Sequence, residues 1–128
     1  MNLETYCTPT TIYIKICGRI VLDEYEVFKS AVYPLFQRKV SQIAIDLENA
    51  QFIDSAGLGA LVGMKTRASQ ANARFVLVNP AQPIMEILNI SKLSTIFQIL
   101  TGLEAATLRV ANARPENLLP PPRSGGAI

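Results

Sequence analysis

Short segments with the periodicity of strands alternate along the chain with segments that have the periodicity of helices. In TIYIKICGRI, isoleucines recur at every second position from 12 to 16, which is typical of a strand with one drier face, and Gly18 is expected to end it. Residues 24 to 39 switch to helical spacing, and Pro34 is expected to kink or shorten this helix. Such alternation restricts the chain to folds in which helices pack on a sheet.

The same alternation continues beyond this helix. The further predicted elements are a strand in QIAIDL, a helix carrying Leu58 to Ala68, a strand in FVLVN, a short helix after Pro80, a strand in TIFQIL and a helix from about Gly102 to Ala113. The last helix is expected to turn Leu103, Ala106 and Val110 inward. The sequence therefore predicts one α/β domain over residues 1–113, with a mixed β-sheet of about five strands and alternating helices packed on it.

The C-terminal residues 114–128 have a different composition. RPENLLPPPRSGGAI holds four prolines and two glycines and has no hydrophobic period. Such a composition is typical of a flexible linker or tail. We expect these residues to form a flexible tail outside the domain.

Charge and residue composition exclude several classes of function. The 128 residues are 49% hydrophobic and 17% charged, and the scattered Lys and Arg leave a net charge of only +2. A nucleic-acid surface normally needs a clustered basic face, so no nucleic-acid partner is expected. No apolar stretch approaches the roughly 18 residues of a membrane span, so we expect a cytoplasmic protein without direct membrane insertion.

The chain contains no histidine, which is the usual general base and the commonest metal ligand. Catalysis by Ser-His or Cys-His pairs is therefore excluded, and no enzyme activity is expected. Cys7 and Cys17 lack the CxxC spacing and are interpreted as buried reduced cysteines. Neither a metal nor a cofactor is expected.

The stretch FIDSAGLGALVG, residues 52–63, places an acid, a hydroxyl and three glycines between a strand and a helix. The third glycine comes one place too late for a dinucleotide loop, and the serine lacks the preceding glycine of a nucleophile elbow. Either Asp54 or Ser55 could cap the helix, and the turn could still hold a small anionic ligand. Gly59 and Gly63 are interpreted as small residues that let the helix pack tightly on the sheet.

The segment IAIDLENAQFIDSAGLGALVG, followed by FVLVNPAQPIMEILNISKLSTIFQI, resembles the STAS domain of bacterial anti-sigma factor antagonists. The likeness extends from about residue 3 to 112. Its most specific element is the pattern D-S-[ST]-G-L-G, which is matched by Asp54, Ser55, Gly57, Leu58 and Gly59.

The resemblance implies a phosphorylation switch. Ser55 would be phosphorylated by a GHKL-type serine kinase that is itself the anti-sigma factor, with Asp54 helping in positioning or recognition. Unphosphorylated, the protein would bind that kinase; a PP2C-type phosphatase is a further implied partner. The implied partner-binding residues are Asp54, Ser55, Ala56, Gly57 and Leu58.

Two positions depart from the family pattern. Ala56 stands where many members have Ser or Thr, which leaves Ser55 as the only local phosphoacceptor, and Val21 stands where an acid is expected, with Asp23 two places late. The alternative reading is a STAS scaffold without a switch, or an accessory subunit of a signalling or membrane-transport complex, in which Ser55 only caps the helix.

Overall fold

The computed structural model of the protein describes residues 1–21 and 25–120. The strands are β1 (Asn2–Cys7), β2 (Thr11–Ile20), β3 (Gln42–Asp46), β4 (Ala50–Ile53), β5 (Arg74–Val78) and β6 (Gln98–Leu100). The α-helices are α1 (Tyr25–Val32), α2 (Ser55–Gln70), α3 (Gln82–Ile90) and α4 (Gly102–Asn112). As Pro34 predicted, α1 is short, and a 3-10 turn at Tyr33–Gln37 follows it.

The strands form one mixed sheet in the order β1-β2-β3-β5-β6, and β4 pairs with β2. Among the strand pairs of the described residues, β1–β2 is antiparallel and the others are parallel. The parallel neighbours β2–β3, β3–β5 and β5–β6 are joined by connections that contain helices. The predicted fold class is confirmed. The described sheet has six strands rather than about five, because β4 lies in a stretch without strand periodicity.

Strand β2 does not end at Gly18, contrary to the expectation from sequence. Gly18 adopts a φ of +89°, and the pairing register shifts between Gly18 and Arg19. A glycine tolerates this left-handed conformation, so the strand passes through an irregularity and continues to Ile20. Its last residues pair with Phe52 and Ile53 of β4.

The two faces of the sheet are covered by different helices. The larger cluster contains the isoleucines of β2 and β3 with buried residues of α1, α2 and α3, such as Phe28, Leu61 and Ile84. The smaller cluster joins Tyr13 and Val76 of the sheet to Ala105 of α4. Helix α2 therefore packs on one face of the sheet and α4 on the other.

The predicted inward face of α4 was wrong. Leu103 and Val110 are 83% and 72% exposed, and Ala106 is exposed as well, whereas Ala105 and Asn112 are buried. Arg109 of α4 forms an ion pair with the buried carboxylate of Asp46 on β3. This pair fixes which side of the helix contacts the sheet.

Part of the predicted tail contacts the domain. Pro115–Asn117 form a 3-10 turn, Leu118 forms an antiparallel bridge with Tyr6, and the N–H of Leu119 donates to the carbonyl of Thr5 over 2.8 Å. Leu118 and Leu119 therefore lie along the outer edge of β1. Residues 121–128 lie outside the described residues.

Candidate functional site at the start of helix α2

Asp54 is the N-cap of α2. Its backbone is extended (φ −93°, ψ −177°), and its side-chain Oδ1 accepts a hydrogen bond from the N–H of Gly57 at 2.9 Å. The first helical hydrogen bond runs from the Leu58 N–H to the Asp54 carbonyl at 2.9 Å. Of the two candidate caps, the aspartate therefore takes this position.

Ser55 is the first residue of α2, and it is exposed. The amides of Ser55 and Ala56 precede the first i→i−4 hydrogen bond of the helix, and the helix dipole makes this end positive. The neighbouring carboxylate of Asp54 is negative and repels a further negative group at this end. The Ser55 hydroxyl thus lies at a helix end where a negative group is partly stabilised and partly repelled.

Gly57 lets the first turn of α2 approach β2 and β4 closely. A Cβ atom at this position would lie 2.6 Å from Cγ1 of Ile53 and 3.0 Å from the carbonyl oxygen of Ile20. The Asp54 N–H also donates to the Ile20 carbonyl at 3.1 Å. The start of α2 is therefore fixed against two strands.

Gly59 and Gly63 were predicted to let α2 pack tightly on the sheet, but neither lies where the helix approaches a strand. A Cβ atom on Gly59 would meet nothing within 4 Å, and one on Gly63 would lie 3.4 Å from the hydroxyl of Tyr33 rather than against a strand. Gly57, which is closer to the cap than either, makes the tight approach instead.

The residues around Ser55 form a small, mostly apolar surface. Ala56 and Leu58 are half-buried, Gly59 is exposed, and Gly57 is buried. Ser55, Ala56 and Leu58 therefore present side chains at this surface, whereas Gly57 holds the turn in place beneath it. Leu58 lies partly exposed in the first turn.

The sequence did not predict a contact between an arginine and a phenylalanine on the two strands that precede α2. The guanidinium of Arg19 lies 4.5 Å from the ring centroid of Phe52, in cation–π contact. Sequence reasoning missed this pair because Gly18 was expected to end its strand and no strand was predicted between QIAIDL and α2. Val21, where the family pattern has an acid, is half-buried; Asp23 lies outside the described residues.

A second polar cluster lies beneath α4 and has a structural role. Oδ2 of the buried Asp46 accepts hydrogen bonds from the Tyr13 hydroxyl at 2.6 Å and from Nε of Arg109 at 2.9 Å, while Arg109 also pairs with Glu48 at 2.8 Å. Burial and the hydrogen bond to Asp46 raise the pKa of Tyr13 above its ordinary range. Burial acts to lower the pKa of Arg109, but the Tyr13 hydrogen bond and the Asp46 charge outweigh it and raise that pKa.

Within residues 1–21 and 25–120, no cluster of three or more His, Cys, Asp or Glu side chains could hold a metal ion. Across the same ranges, no helix combines the length and the apolar character that crossing a membrane requires.

The sequence model of the STAS domain matches residues 2–106. The chain belongs to the STAS domain family. This STAS domain is 31% identical over 86 residues to a STAS-domain containing protein of Pseudomonas aeruginosa, covering 67% of the present chain and 84% of that protein. It is 26% identical over 106 residues to the anti-sigma-B factor antagonist of Staphylococcus aureus, covering 81% and 96% of the two chains.

Solved structures show the same fold. The anti-sigma factor antagonist SpoIIAA in its unphosphorylated form superposes on this STAS domain with a TM-score of 0.71 at 20% identity, covering 86% of this chain and 96% of that one. The phosphorylated form of SpoIIAA from Bacillus superposes with a TM-score of 0.66 at 21% identity, covering 85% and 99%. At this identity the likeness establishes the fold alone.

Proposed function

We propose that this STAS domain is an anti-sigma factor antagonist that binds its anti-sigma factor when unphosphorylated and is released when Ser55 is phosphorylated. The observation that carries the proposal is the division of roles at the start of α2. Asp54 caps the helix, and the exposed hydroxyl of Ser55 follows one position later. A hydroxyl that is neither buried nor the cap can be modified without removing a structural contact.

Relatives support the same assignment. The Staphylococcus aureus relative is named an anti-sigma-B factor antagonist, and SpoIIAA is known in unphosphorylated and phosphorylated forms. For this chain, we propose as partner a GHKL-type serine kinase that acts as the anti-sigma factor, with a PP2C-type phosphatase reversing the modification. The protein would act in the cytoplasm by binding rather than by catalysis.

The physical chemistry of the site favours a switch without refolding. A phosphate on Ser55 adds about −1.5 to −2 charge. The helix dipole stabilises that charge by some tenths of a kcal/mol, whereas the neighbouring Asp54 repels it. Because these effects are small and opposed, the phosphorylated domain remains folded.

The same charge weakens a protein interface that covers it. We propose that the partner covers the surface formed by Asp54, Ser55, Ala56 and Leu58, with Gly57 supporting it from below. A dianion desolvated without a partner costs on the order of 2 to 5 kcal/mol. Such a loss weakens binding by roughly 30-fold to several thousandfold.

Phosphorylation in vitro with a cognate GHKL-type kinase tests the proposal. Intact mass after incubation with ATP should increase by one phosphate for the wild type and not at all for Ser55→Ala. Ser69→Ala, which removes an exposed serine at the far end of the same helix, should be labelled like the wild type. Labelling elsewhere, or none in the wild type, contradicts the assignment of Ser55.

Partner binding completes the test. Unphosphorylated protein should bind the kinase, and both the phosphorylated protein and Ser55→Asp should bind at least about 30-fold more weakly. Equal affinity of all three forms would instead indicate a STAS scaffold without a switch.

A further inference from the structure

Strand β1 lies at one end of the sheet order, and a short C-terminal segment lies against its outer edge. The Leu119 N–H donates to the Thr5 carbonyl over 2.8 Å, and Leu118 pairs with Tyr6 in an antiparallel bridge. In an antiparallel ladder the N–H and C=O of a residue point to the same side, and successive residues alternate. Thr5 and Leu3 therefore direct their backbone groups away from β2.

An apolar groove runs beside this edge. Its volume is about 450 Å³, and its lining includes Leu3, Ala31, Pro34, Leu35, Leu119 and Pro120. The C-terminal segment thus covers part of the strand edge with its backbone and part of the groove with its side chains. Without it, an edge strand with unpaired backbone groups would lie next to an apolar surface.

The segment is also built so that it does not extend the sheet. Pro120 follows the last paired residue, and the sequence continues with Pro121 and Pro122. Proline has no backbone N–H to donate, so three consecutive prolines cannot supply the donors of a regular ladder. Natural sheets often protect their edges with proline and with covering segments.

We infer that residues 118–120 are an edge guard, which prevents β1 from pairing with the β1 of a second copy of this chain. The inference goes beyond the proposed switch and does not depend on it. It assigns protection of the β1 edge to a segment whose composition alone predicts a flexible tail.

The charges of β1 favour pairing of its outer edge with the β1 of a second copy of the chain. Antiparallel pairing about Thr5 joins the Thr5 backbones of both copies and sets Glu4, the only charged residue of β1, opposite Tyr6 of the other copy. Within one chain the Tyr6 hydroxyl already donates to Oε1 of Glu4 at 3.4 Å. The two Glu4 carboxylates do not face each other, so the strand is complementary to itself.

Removal of the guard tests the inference. A chain truncated after Asn117 should run at twice the monomer mass in multi-angle light scattering, whereas the 128-residue chain should stay monomeric. The matched control is the same truncation with Thr5→Pro. Because the Thr5 backbone points away from β2, proline there spares the β1–β2 ladder and blocks only an added strand, so this variant should return to the monomer mass.

Several outcomes would overturn the inference: an untruncated chain that is already a dimer, a truncated chain that is folded by circular dichroism yet monomeric at every concentration, or a dimer that persists with Thr5→Pro. If the truncated chain does not fold, untruncated Leu119→Pro decides instead. It removes the donor to Thr5 together with the leucine side chain, and Leu119→Ala, which also loses the side chain but keeps the donor, is its control. A dimer for the proline variant alone supports the guard, and monomers for both overturn it.

Discussion

Oδ1 of Asp54 accepts a hydrogen bond from the Gly57 N–H at 2.9 Å, so the aspartate, and not the neighbouring serine, caps α2. Asp54→Ala should therefore lower the free energy of unfolding by about 1 kcal/mol, and Asp54→Asn should retain most of it, because asparagine is also a good N-cap. Urea unfolding measures both. Equal losses for alanine and asparagine would contradict the capping role.

Ser55→Ala should change the free energy of unfolding by less than about 0.5 kcal/mol, because the side chain is exposed and does not cap the helix. Ser55→Asp should also leave the thermal midpoint nearly unchanged while weakening partner binding. Thermal unfolding of both variants checks this. A destabilisation as large as that of Asp54→Ala would indicate that Ser55 caps the helix.

Two glycines of α2 should respond to alanine in opposite directions. Gly57→Ala forces a Cβ atom to 2.6 Å from Ile53 and 3.0 Å from the Ile20 carbonyl, which should cost about 1 to 3 kcal/mol. Gly59→Ala meets nothing within 4 Å and should stabilise the helix by about 0.5 to 1 kcal/mol. Denaturant unfolding gives both signs, and the same sign for the two variants would contradict the packing described here.

Replacing the arginine should destabilise the protein far more at the Asp46–Arg109 pair than at an exposed ion pair nearby in the sequence. Arg109→Met leaves a buried carboxylate without its cation and should cost about 3 to 5 kcal/mol. Arg114→Met removes an exposed pair with Glu116 and should cost less than about 1 kcal/mol. Adding Asp46→Asn to Arg109→Met should recover part of the loss, which a double-mutant cycle measures.

Tyr13 should make the protein less stable in alkaline solution. Its pKa is raised in the folded state by burial and by the hydrogen bond to Asp46, whereas the unfolded chain ionises near the ordinary value of about 10. Its contribution to the free energy of unfolding is therefore fully present below about pH 10 and is lost as the pH rises through the raised pKa. Unfolding measured on both sides of that pH should show a decline that Tyr13→Phe reduces; an identical decline in both proteins would contradict it.

Local periodicity was sufficient to predict much of this fold. The apolar run that became β5 and the helix that carries Ile84 and Leu88 are recognisable because their buried faces repeat at a regular spacing. The start of α2 was predictable because an acid and a hydroxyl precede a helical apolar pattern. The sequence left the choice of cap open, since Asp54 and Ser55 are both good caps and only the geometry distinguishes them.

Features that depend on distant partners could not be predicted. Strand β4 is four residues long and forms because the far end of β2 is available to pair with it. The orientation of α4 depends on Arg109 and Asp46, which are 63 positions apart, and no spacing rule connects them. The apolar positions of α4 therefore predicted the wrong buried face for this helix.

Strand β2 has a consequence for how the site behaves as a unit. One end of β2 pairs with β3 in the centre of the sheet, and the other end pairs with β4 and accepts the N–H of Asp54. Local opening around Ser55 would therefore have to separate backbone pairs of a strand that also belongs to the core. We expect the start of α2 to belong to the same cooperative folding unit as the central sheet, so that the hydrogen-bonded amides of Asp54 and Leu58 exchange with solvent mainly through global unfolding.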